Sequence, residues 1–201
     1  MFVLRQPILY ENVVFDAAVA ADPEYPSSYV VVASQGFTAT NRSPNPVELP
    51  LTLAAWGQTE GTAPLTIHAV TVTFPDNTQQ SFSEADIVAA AAPVRRLQRI
   101  IQLVGHQSVR VVYQMKFGVQ KADRVGYRPL FPTVNLELRV KLPPELKAFA
   151  TWYHPAARLP VQEQGRFLEF DNPQPGQYVA RIKGGLLPFH GIELGVDLVL
   201  T

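Results

Sequence analysis

Ten consecutive residues, Thr133–Leu142, alternate between polar and apolar. Val134, Leu136, Leu138, Val140 and Leu142 are apolar, and Asn135, Glu137, Arg139 and Lys141 between them are polar. A period of two puts each set on its own face of an extended strand. A helix would scatter the same residues around its axis, so this segment belongs to a sheet with one wet and one dry side. "SVRVVYQMKF" (108–117) repeats the pattern, with Val109, Val111, Tyr113, Met115 and Phe117 on one face.

Most of the chain follows suit. Segments 12–20, 28–40, 47–56, 65–74, 147–153, 166–170, 177–183 and 191–200 are rich in β-branched or aromatic residues and end at Pro, Gly, Asn or Asp. "FPDNTQQSF" reads as a hairpin, because Pro75 presets φ and Asp76 and Asn77 tolerate tight-turn dihedrals. "GHQ" (105–107) is short enough to turn between two antiparallel strands. The eighteen prolines are spread along the chain, which marks frequent strand ends rather than a Pro-rich linker.

The exception is 83–104. Ser83 and Asp86 resemble a capping box, and four alanines in a row favour helix. Pro93 costs an interior helix about 3 kcal/mol. The expected result is a short helix at 84–92 followed by a strand at 95–104; the rival is one kinked helix to Val104. The predicted fold is an all-β antiparallel sandwich of Ig-like architecture, about ten strands with that one helix. Strand spacing of about 10 to 15 residues with turn signals between supports it. The Cys–Trp–Cys pattern of antibody domains is missing, so the likeness is architectural.

The chain has 201 residues and no clear internal boundary, so a single domain over 1–201 is expected, alone or as part of a larger assembly. Such a length buries roughly 70% of its unfolded surface and needs no disulfide or metal to fold. There is no cysteine, which excludes thiolate catalysis and cysteine zinc sites and fits a reducing compartment. No signal-peptide pattern and no long uncharged apolar run is found, so a cytoplasmic location without a membrane span is expected.

Motifs for chemistry are sparse. His68, His106, His154 and His190 lie far apart, and no two share the i, i+2 or i, i+4 spacing of a metal pair. No G-x-S-x-G elbow occurs, and Ser108 has no evident base nearby in sequence. "KGGLLPFHG" is glycine-rich but lacks the phosphate-loop pattern and opens no helix. No cofactor and no metal are expected.

Charge is the informative feature. The formal net charge is zero, yet residues 1–94 carry two basic and nine acidic side chains, net −7. Residues 95–147 carry eleven basic and three acidic, net +8. Arg110 and Lys116 share one polar face of their strand, and Arg139 and Lys141 share another. If 95–104, 108–117 and 133–142 are neighbours, these cations form a basic sheet face, with Lys121, Arg124, Tyr127 and Arg128 of the loop at its edge. Such a surface suits an anionic ligand or a nucleic acid backbone, though no specific nucleic-acid motif is present. Solvated basic residues also keep sheet edges from aggregating.

In layout the chain is broadly similar to β-rich accessory and sensor domains of bacterial proteins, which implies no activity and no site residues. Three functions follow as expectations. The first is a non-enzymatic binding or assembly module acting through protein–protein contacts or self-association. The second is a sensor for an anionic, nucleotide-like small molecule, held by Arg124, Arg128, Tyr127, Lys121, Arg110, Lys116 and Arg139. The third is a hydrolase assembled from distant residues around His154 or His190.

Overall fold

The structure, a computed structural model, describes residues 6–51, 61–83, 87–89, 95–97, 99–121, 125–127, 131–153, 168–182, 184–186 and 191–198. Among these residues every regular element is a strand. In chain order they are β1 (Ile8–Ala21), β2 (Ser28–Asn41), β3 (Val47–Leu51), β4 (Thr66–Thr73), β5 (Gln79–Phe82), β6 (Ile87–Ala89), β7 (Arg95–Leu97) and β8 (Arg99–Leu103). Then follow β9 (Ser108–Gln120), β10 (Val125–Tyr127), β11 (Thr133–Lys141), β12 (Leu146–Tyr153), β13 (Leu168–Gln174), β14 (Gln177–Ile182), β15 (Gly185–Leu186) and β16 (Gly191–Leu198). The all-β sandwich read from the sequence is therefore the fold, and eleven of the strands reach five residues or more.

The large sheet runs β13-β14-β11-β1-β2-β9-β4-β5, with β15 also pairing β11. Its middle is a pair of fourteen-residue strands, β1 and β2, whose hairpin turn is fixed by the buried Asp22. The Asp22 carboxylate accepts hydrogen bonds from the N–H groups of Glu24 (2.9 Å) and Tyr25 (3.1 Å) and from the Ser28 hydroxyl (3.4 Å). That satisfies donors a tight turn would otherwise leave open.

One face of the large sheet is apolar along every central strand. Phe15 and Ala17, Phe37 and Ala39, Val109 to Met115 at alternate positions, and Leu136, Leu138 and Val140 are all buried there. Tyr10, Phe37, Tyr113 and Phe131 form an aromatic chain, with centroids 4.2 Å apart for Tyr10–Phe37 and 5.1 Å for Tyr10–Phe131. Burial pushes the Tyr10 phenol far above its ordinary pKa. Leu49, Leu51, Ile101 and Leu103 of the β3–β8 ribbon join the same core, as do Leu146, Ala148 and Ile192 of the three-stranded sheet β10-β16-β12. These smaller sheets form the second layer, and removing that much apolar surface from water drives the assembly.

Several sequence expectations need correction. No helix forms at Ile87–Ala89, which is strand β6 paired with β7; the flanking 84–86 and 90–94 lie outside the described residues. An isolated nine-residue helix is marginal in water, and a two-stranded pairing satisfies the same backbone. Residues 95–97 and 99–103 are strands, as expected after Pro93, which rules out the kinked helix.

"GHQ" does turn the chain, with Gln107 N–H bonded to the Val104 carbonyl and His106 at φ 60°. It joins two sheets, however: β8 pairs β3 and β9 pairs β2 and β4, so the turn is a corner between layers. Consequently 95–104 is not a neighbour of 108–117 in the large sheet, and β1 and β2 stand between β9 and β11.

Among the described residues, antiparallel pairing holds except between β1 and β11, which run parallel. That pair also breaks the clean alternation of 133–142. Asn12 and Asn135 both adopt positive φ (52° and 58°), and the Asn135 side-chain amide donates to the Asn12 side-chain carbonyl at 3.0 Å. Asparagine tolerates this conformation better than most residues. Each strand gains one residue there, so Thr133 is buried in place of Val134, and Tyr10 and Val13 both face the core.

Candidate functional site

The other face of the large sheet is its polar side, and the pairing register shows what stands on it. One row across the strands reads Val179, Arg139, Asp16, Ser34, Gln114. The next reads Gln177, Lys141, Ala18, Val32, Lys116, Thr66. On the opposite flank stand Arg181, Glu137, Val14, Gly36 and Val112, and beyond them Thr38 and Arg110.

The first row, and the second from Gln177 to Val32, line a shallow groove of about 570 Å³ that crosses the strands from β14 to β4, with His68 at its far side and Lys116, level with Val32, just outside its lining. Its volume lies in the range of ligand-binding clefts. Ala18 and Val32 form an apolar floor, and Val32 is 52% exposed, unusual for a valine in mid-strand. Thr62 and Ala63 pack against the end of β9 at Gly118. Gly118 makes this possible, since its N–H bonds to the Ala63 carbonyl at 2.8 Å and a Cβ there would lie 2.3 Å from the Ala63 nitrogen.

The cations on the face fall into two groups. Arg139 is engaged: its Nε lies 2.6 Å from Glu137, and its guanidinium 3.8 Å from Asp16. Arg181 reaches the other Glu137 oxygen at 3.1 Å. Partial burial of Glu137 would raise its pKa, but the two arginine hydrogen bonds outweigh it and hold the carboxyl below its ordinary value. The hydrogen bond to Glu137 raises the Arg139 pKa in turn. Lys116, Lys141 and Arg110 are exposed and form no ion pair with a described residue. Arg110 lies over Gly36, where an added Cβ would come within 3.1 Å of its Nη2.

Of the residues singled out from sequence, Arg110, Lys116 and Arg139 share this one face, although their strands are not adjacent. Lys121 sits just past the end of β9, its ammonium 5.6 Å from the Tyr29 ring centroid. Tyr127 belongs to β10, in the three-stranded sheet of the second layer, so the structure does not join it to the face. Arg124, Arg128, His154 and His190 lie outside the described residues. Lys141, Val32, Ala18 and Asp16 were not foreseen together, because only the pairing of β1 with β11 sets them side by side.

Ser108 gains a partner that spacing could not show. The Thr40 hydroxyl donates to Glu11 at 2.5 Å and receives a hydrogen bond from Ser108 at 2.9 Å. Thr40 thus links Ser108 of β9 to the Glu11 carboxylate of β1 across β2. Among the described residues no three His, Asp or Glu side chains gather in a metal-binding group, and no helix is long and apolar enough to cross a membrane.

No protein-family model matches the chain, and no curated protein matches its sequence. Solved structures do resemble it. A candidate nutrient-binding protein from Legionella pneumophila aligns with TM-score 0.51 at 9% identity, over 95% of this chain and 68% of its own. A candidate protease from Parabacteroides distasonis aligns with TM-score 0.49 at 11% identity, over 94% of this chain, which spans only 40% of that protein's length. An M1 zinc metallopeptidase from Deinococcus radiodurans gives TM-score 0.43 at 12% identity, over 95% of this chain and 43% of its own. At these identities the likeness is one of fold.

Proposed function

We propose that this chain is a non-catalytic β-sandwich module that binds another protein through the polar face of its large sheet. The observation that carries the reading is the groove across β14, β11, β1, β2 and β9, with an exposed valine between Lys141 on its lining and Lys116 beside it, neither in an ion pair with a described residue. An apolar centre with a charged rim is the usual make-up of a protein-binding surface. The groove is open and shallow, which suits contact with a surface or a chain segment.

A photo-crosslinking amino acid at position 32, compared with one at the exposed Glu48 of β3, tests this in cells that make the protein. A discrete protein adduct at position 32, absent at 48 and lost with K116E/K141E, is expected. No adduct at 32, or equal adducts at both positions, overturns the reading.

A second reading, a sensor of anionic small molecules, draws on the same cations and on the volume of the groove. Calorimetry against nucleotides at low salt decides it, and no heat removes it.

A further inference from the structure

We infer that the groove takes an extended acidic peptide segment of the partner, lying across the strands, with the pattern acid–x–apolar–x–acid. The inference rests on the reading of the face as a protein-binding surface and adds what binds there and how.

Register supplies the spacing. Lys141 of β11 is level with Ala18 of β1, Ala18 with Val32 of β2, and Val32 with Lys116 of β9. Three inter-strand steps separate the two lysines, about 14 Å between their Cα atoms. Four residues of extended chain cover about the same distance. Residues i, i+2 and i+4 of such a segment point the same way. Acidic side chains at i and i+4 then meet Lys141 and Lys116, while an apolar side chain at i+2 rests on Ala18 and Val32.

Charge supplies the sign. In the adjoining row Asp16 and Glu137 already occupy Arg139, and Glu137 also holds Arg181. Among the described residues, Lys116 and Lys141 form no ion pair, and they stand at the groove, Lys141 on its lining and Lys116 beside it. Thr62 and Ala63, packed at Gly118 two residues past Lys116, limit the face there, which favours one segment over a broad flat partner. Gln177 and Gln114 at the margins offer amide groups to the peptide backbone.

The test uses the full chain and fluorescent twelve-residue peptides carrying Glu-x-Leu-x-Glu, with a Gln-x-Leu-x-Gln and a Glu-x-Ser-x-Glu control, read by anisotropy. The acidic peptide is expected to bind, and more weakly as salt rises. Two exposed ion pairs lost together should weaken binding about tenfold in K116A/K141A. Both lysines are exposed, and an unchanged thermal midpoint confirms that the variant folds. The serine control should also bind more weakly.

Equal binding of the Glu and Gln peptides, or an unchanged affinity in K116A/K141A, overturns the inference. So does concentration-dependent dimerisation in sedimentation that K116E/K141E abolishes, since the face would then belong to a second copy. Adducts at position 32 without any acidic-peptide binding would leave the protein-binding reading standing and remove this one.

Discussion

Asn41 is the last residue of β2 and is fully buried. Its side-chain amide donates to the carbonyls of Asn45 (2.9 Å), Leu103 (3.2 Å) and Val104 (2.9 Å), and its carbonyl accepts from the Ser43 N–H at 2.8 Å. It therefore ties the loop leading into β3 to the corner after β8, where both layers meet. The contact is close: a Cβ on Gly105 would lie 2.1 Å from the Pro44 carbonyl oxygen. Asn41→Ala removes both amide donors and one acceptor of a fully buried side chain. At about 1 kcal/mol per net hydrogen bond, the expected loss is about 3 kcal/mol. Asn41→Leu fills the space without restoring any bond and should cost at least as much.

Urea unfolding followed by intrinsic fluorescence measures it. With a slope of about 2 kcal/mol/M, the midpoint should fall by about 1.5 M at unchanged slope. A loss below about 1 kcal/mol in Asn41→Ala, or recovery in Asn41→Leu, would refute the reasoning. Either result would mean that the three carbonyls find other partners once the amide is gone.

Two further predictions concern β11, one its bulge beside β1 and the other its contact with β14. Asn135→Val places a β-branched residue at positive φ and should destabilise by about 1–2 kcal/mol more than Asn135→Gly, measured by the same unfolding; equal losses would show that the bulge is not held by backbone conformation. Glu137 has a folded pKa below its ordinary 4.5, so its contribution is fully present above the unfolded value and is lost as pH falls through the lower folded one. Glu137→Gln should therefore flatten the acid limb of stability against pH, and an unchanged slope in that window would remove the arginine clamp as its cause.

The strands were legible wherever one face is dry. Val109, Val111, Tyr113 and Met115 are buried as their spacing predicts, and the turn at Pro75–Asn77 forms between β4 and β5, with Asn77 at φ 65°. Alternation says which way a side chain points and nothing about which strand lies next door. Arg110, Lys116 and Arg139 were thus expected to share a wet face and do share one, but through β1 and β2, where adjacent strands had been expected. Four alanines suggested a helix at 84–92, yet intrinsic propensity is a weak prior against pairing, and Ile87–Ala89 is a strand. The bulge at Asn135 was hidden because asparagine fits equally well on a polar strand face. The groove was out of reach of sequence, since Ala18 and Lys141 meet only through a parallel register.

That register also orders events as the chain is made. β1 emerges just before β2 and can pair with it at once, but its other neighbour lies 123 residues downstream, the separation of Asn12 from Asn135. Until β11 arrives, one whole side of the most central strand offers unpaired N–H and C=O groups beside an uncovered greasy surface, a template for stray pairing with other nascent chains. The late insertion of β11 beside β1 is a contact of long sequence separation, so it is the natural slow step of folding and the moment at which a chaperone matters most.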